Sequence, residues 1–150
     1  MINTHMPRQL RRHTFLLESN TADLSLDLNT CLQDVERIEI GWVQCPAISS
    51  TLPDFLYVVE SDPAGQLEGN GSANMGGMPG NPQRAFLTMP QPSSTVTTFY
   101  PGGTYPVDKR YTQPFALQTI RLRVVDAAGD PVTFGVGTPA FGIFFIVWAQ

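Results

Sequence analysis

Histidine and cysteine are almost missing from this chain, with two of each in 150 residues. His5 and His13 both fall in the first thirteen positions, while Cys31 and Cys45 stand apart from them and from each other. A zinc site needs ligands at characteristic short spacings, and a nucleophile needs a base beside it. This sequence offers neither pattern, so no catalytic, metal or cofactor site is expected. A disulfide is also not expected. The extended run VERIEIGWV between the cysteines, rising about 3.3 Å per residue, separates them by on the order of 30 Å, and a disulfide tolerates only about 7 Å between Cα atoms.

Charge is scarce too. Only 15% of residues are charged, against about 25% in an average globular chain, and the net charge is -4. A nucleic-acid binder is rewarded for a strongly basic face, so nucleic acid is not an expected partner. The one basic cluster, Arg8, Arg11 and Arg12, lies in MPRQLRRH and suits an arm that contacts a neighbouring subunit or solvent. Residues 1–13 are accordingly expected to be an extended arm and residues 14–150 a single domain. The N-terminus has no apolar stretch of the secretory kind, which leads us to expect synthesis in a cytoplasm.

No apolar run reaches the roughly twenty residues that a membrane-spanning helix needs. The most apolar stretch, FGIFFIVWAQ at residues 141–150, is too short for that and is expected to be a strand without a wet face. A period of two sets Phe141, Ile143, Phe145 and Val147 against Gly142, Phe144, Ile146 and Trp148. Something must cover the second face, either this chain or a partner.

What the chain has in abundance is turn chemistry, with 13 glycines and 13 prolines. Between the turns lie strand-like runs. DLSLDL alternates Leu24, Leu26 and Leu28 with polar residues, and residues 35–44 set Ile38, Ile40 and Trp42 opposite Arg37, Glu39 and Gly41, which places Trp42 in the core. TFLLE, DFLYVVE, RAFLTM, STVTTFY, FALQTIRLRVVD and VTFG read similarly. The expected fold is all-β: an antiparallel two-sheet sandwich of the jelly-roll type, with eight or nine strands.

Two long loops interrupt the strands, one at residues 61–83 and one in PGGTYPVDKRYTQP. Loops of such length in a compact domain are usually functional or disordered. The second holds or adjoins Tyr100, Tyr105 and Tyr111, expected to be contact residues together with Phe144, Ile146 and Trp148. In the turn DAAGDP, Asp126 and Asp130 are expected to bond the backbone rather than a calcium ion.

The segment HTFLLESNTADLSLDLNTCLQDVERIEIGWVQCPAI, with its V-x-x-I-x-I-x-x-V-x-x-P pattern, resembles the opening of small structural proteins in virions of large double-stranded DNA viruses and their relatives. The later IRLRVVDAAGDPVTFG, a strand and a D-x-x-G-x-P turn before a closing strand, resembles their end. The resemblance implies a minor capsid, penton or cement component located in the virion. Its partners would be other capsid proteins in a homo-oligomer or shell lattice. The alternative is a ligand-binding sandwich, such as a carbohydrate-recognition module stacking sugars on Tyr100, Tyr105 or Tyr111.

Overall fold

A computed structural model describes residues 9–61, 85–102 and 107–150. Among them there is no helix. Seven strands form one antiparallel sheet: β1 (Arg11–Ser19), β2 (Asp23–Cys45), β3 (Phe55–Glu60), β4 (Ala85–Pro90), β5 (Thr98–Pro101), β6 (Asp108–Val125) and β7 (Phe141–Ala149). The order is β1-β7-β2-β6-β3-β4, with β5 attached to β2.

The long strand β2 organises this sheet. Its first residues pair with the end of β6, Asp23 opposite Arg123 and Asp27 opposite Thr119. Its later residues pair with β7, from Arg37 opposite Trp148 to Gln44 opposite Gly142, and its last four with β5. The change of partner coincides with register shifts between Asp27 and Arg37, where Asp34 has a positive φ of 52°. Leu32 and Val35 are both buried although three positions apart, which an unbroken period of two forbids. An irregularity of the bulge type re-aims side chains and bends the strand in this way.

The bend curls the sheet on itself. Phe86 on β4 meets Phe145 on β7, ring centroids 5.8 Å apart, although the two strands lie far apart in the strand order. Both side chains are fully buried, with Ile38, Val58, Ile120, Leu122, Phe141 and Ile143 around them. Each such side chain contributes about 1.5–3 kcal/mol through its removal from water. β6 follows its sequence pattern closely, with Ile120, Leu122 and Val124 buried and Arg121 and Arg123 exposed.

Several expectations need revision. The two runs assigned to separate strands at residues 23–28 and 35–44 belong to one strand of 23 residues, which lowers the count to seven among the described residues. DKRYTQP, expected in a loop, is the start of β6. VTFG forms only an isolated bridge, Phe134 to Ile48, and Pro131 just before it bridges Val125. Arg11, Arg12 and His13, expected in the arm, are the first residues of β1 and pair with Ala149, Trp148 and Val147. The loop expected at 61–83 lies, apart from Ser61, outside the described residues.

Candidate interaction face

The second face of β7 is where the apolar surface accumulates. Phe141, Ile143, Phe145 and Val147 point inward and are fully buried, whereas Phe144, Ile146 and Trp148 are half-buried on the opposite side. Register extends this outer face across its neighbours. Phe144 pairs with Leu16 on β1 and with Trp42 on β2. Phe99 on β5 completes the row, its ring 5.8 Å from that of Trp42. Leu16 is 43% exposed and Phe99 56%, so the row Leu16, Phe144, Trp42, Phe99 is open to solvent at both ends and half-buried at its centre.

Trp42 reaches this face because of Gly41. The register with β7 slips between Ile40, opposite Phe145, and Trp42, opposite Phe144, which leaves Gly41 as an extra residue. Ile40 and Val43 therefore both face the core while Trp42 turns outward. The expected core position of Trp42 is thus corrected: the alternation breaks at the glycine. A Cβ at Gly41 would stand 2.6 Å from Phe144 Cδ1, and one at Gly142 would stand 3.3 Å from Trp42 Cζ3. Each aromatic ring lies over a glycine on the adjacent strand, and the rings stack with planes 5° apart.

Charge gathers along the strands from the row, where Arg37 stands opposite Trp148. Arg37 donates to Asp108 through both Nε (2.7 Å) and Nη2 (3.0 Å) and also pairs with Glu39. Its guanidinium lies 6.0 Å from the Trp148 ring centroid, at the outer reach of a cation–π contact. The hydrogen bond from Arg37 holds the Asp108 carboxyl below its usual range, and the same bond raises Arg37. Arg37, Arg110, Glu36, Tyr111, Leu10 and Trp148 border a recess of about 350 Å³. Among the described residues the buried indole Nε1 of Trp148 has no hydrogen-bond partner.

The expected contact residues divide clearly. Arg11 and Arg12 are exposed on β1, and Phe144, Ile146 and Trp148 share the outer face of β7. Tyr100 and Tyr111 are both buried. Tyr100 donates from its hydroxyl to the Pro90 carbonyl at 2.9 Å, and Tyr111 packs edge-on against Phe115 with centroids 4.8 Å apart. Neither offers a flat ring to a sugar. Arg8 and Tyr105 lie outside the described residues. Sequence reasoning missed Leu16, Trp42 and Phe99, and the signal available for Trp42 was Gly41 inside a strand pattern.

Elsewhere the polar groups serve the fold. Asp126 Oδ1 accepts from the backbone N–H groups of Ala128 (2.9 Å) and Asp130 (3.0 Å), and Gly129 takes the left-handed conformation the turn requires, φ 88°. Asp126 is thus a turn residue, as its spacing suggested. Both cysteines are free thiols; burial pushes the Cys45 thiol up to about 12, so it stays protonated. Among the described residues, no group of three His, Cys, Asp or Glu side chains is placed to hold a metal ion, and no helix is long and apolar enough to cross a membrane. The chain matches neither a known protein family nor a curated protein.

Proposed function

We propose that this protein is a non-catalytic structural component of a virion shell, of the minor capsid, penton or cement type, that binds neighbouring shell subunits through the outer face of β1, β7, β2 and β5. The observation that carries this reading is the row Leu16, Phe144, Trp42 and Phe99, exposed at both ends and half-buried at its centre, mounted on four adjacent strands. A contiguous aromatic patch of this kind, with charge at its rim, has the anatomy of a protein–protein contact. It is rigid as well. Its central rings are fixed by stacking and by the glycines beneath them.

Strand order supports the finer expectation for the fold. When β2 is counted as two segments divided at its bulged middle, the eight segments fall into two antiparallel groups of four. One group runs β1, β7, the second half of β2, β5; the other runs the first half of β2, β6, β3, β4, and the two stay joined where Arg37 to Glu39 of β2 also pair with the start of β6. That order supports the jelly-roll reading, a fold found in viral capsid domains. The resemblance of the two ends of the sequence to small virion proteins supports the class, with synthesis in the host cytoplasm.

The test is the mass of the purified protein by light scattering over a range of concentrations, followed by electron microscopy of the same samples. Rings or closed particles that grow with concentration are expected. A monomer at every concentration overturns the proposal.

A further inference from the structure

We propose that two copies of this chain join through β1, edge to edge and antiparallel, so that their sheets become continuous. The inference rests on β1 alone and stands whether or not the protein belongs to a shell.

β1 ends the strand order: one edge pairs with β7, and among the described residues no strand pairs with the other. Natural edge strands are usually blunted by proline, lysine, bulges or extreme shortness, because a row of unpaired N–H and C=O groups templates another strand. β1 has no proline, lysine or bulge, and of the charges it does carry, Arg12 and Glu18 find partners in the pairing described below. Its nine residues, RRHTFLLES, run opposite β7 without a single register shift. Among the described residues it is a regular edge without a second strand partner.

The side chains of β1 select the occupant. Its outer face reads Arg12, Thr14, Leu16, Glu18, with Leu16 opposite Phe144. This sequence is self-complementary about Phe15. When Phe15 faces Phe15 of a second copy, each Arg12 faces the other copy's Glu18 and each Thr14 faces Leu16, so two ion pairs form by symmetry. Sliding the register by two residues either way sets Arg12 opposite Leu16 or Asn20 and loses both. The favoured register also matches odd with odd and even with even residues, so backbone groups of like orientation meet, as an antiparallel ladder requires.

Packing agrees with charge. On the inner face, Phe15 is only partly buried against the core, and in the pair it is covered by its own copy. The half-exposed Leu16 gains a neighbour, and the row Leu16, Phe144, Trp42, Phe99 continues into its two-fold equivalent. No other charged side chain lies between Arg12 and Glu18 on this face.

The experiment is a charge-reversal mix using the full chain, read by native mass spectrometry at low ionic strength. Arg12→Glu alone sets like charges opposite each other at both symmetric positions, as does Glu18→Arg alone, so each variant should dimerise at least about tenfold more weakly than the parent. Mixing the two variants restores opposite charges at both positions, and the heterodimer should form with near-parental affinity. Its mass separates it from either homodimer, and its formation shows that both variants fold. A parent chain that forms no dimer, or a mixture with no preference for the heterodimer, overturns the proposal.

Discussion

Trp42 and Phe144 stack with ring centroids 5.9 Å apart, and each ring roofs a glycine of the other's strand. The arrangement is reciprocal, so the smallest possible addition to either glycine disturbs the partner ring. Gly41→Ala brings a methyl to 2.6 Å from Phe144 Cδ1, a clash only ring displacement can relieve, whereas Gly142→Ala produces a milder 3.3 Å approach to Trp42. We expect Gly41→Ala to cost about 1–3 kcal/mol and Gly142→Ala less. Urea unfolding followed by tryptophan fluorescence gives the order, and equal effects would argue against the stacked geometry.

Phe99 offers a way to weaken the outer face without dismantling it. Its ring is mostly exposed and touches Trp42 at the margin of the row. Phe99→Ser should lower stability by about 1 kcal/mol while reducing self-association. Thermal unfolding and light scattering on the same sample separate the effects. Unchanged association would exclude Phe99 from any contact.

The two thiols should behave differently. Cys45 is buried at the end of β2 with its thiol pushed up to about 12, whereas Cys31 is half-buried and accepts from Gln33 Nε2 at 3.3 Å. A thiolate-selective reagent at pH 8 should modify Cys31 in the native protein and Cys45 only after denaturation. Equal reaction of both would contradict the burial of Cys45.

The Arg37–Asp108 clamp should make stability depend on acid. Because Arg37 lowers the Asp108 carboxyl, its contribution is present above the ordinary carboxylate pKa of about 3.9 and is lost as pH falls through the lower folded value. Both side chains are about one-third or more exposed, so Asp108→Asn should cost below about 1 kcal/mol at neutral pH. The difference between parent and variant should shrink as the pH approaches about 2. A difference that grows in acid would assign the effect to something other than this pair.

The sequence made the regular strands legible, and the exceptions follow from backbone irregularity. β7 and the end of β6 could be read because Phe141 to Val147 and Ile120 to Val124 keep a strict period of two. The Asp126 turn could be read because Asp and Gly at those positions satisfy a known backbone geometry. The continuity of β2 could not. NTCLQD looks like a link, and only pairing to β6 shows that strand residues continue through it with shifted register. The same limitation hid the outer row, since one extra residue at Gly41 turns Trp42 from core to surface. Tyr111 misled for another reason. It sits among Lys109, Arg110, Thr112 and Gln113, so local polarity suggested a loop, yet Lys109 and Tyr111 both lie inside the fold.

The pairing of Arg11 with Ala149 brings together residues separated by almost the whole chain. Among the described residues β1 has no strand partner but β7, and β7 follows the other six strands in sequence. Folding rates fall as contacts become less local, and all-β topologies of this kind form in milliseconds to seconds once the chain is complete. During synthesis the wait is longer. At about 5–20 residues per second, β1 spends roughly six to twenty-five seconds with Phe15, Leu16 and Leu17 uncovered before its partner is made. This chain therefore completes its sheet only after β7 has been made, and whatever shields β1 in the interval decides how much of it folds rather than aggregates.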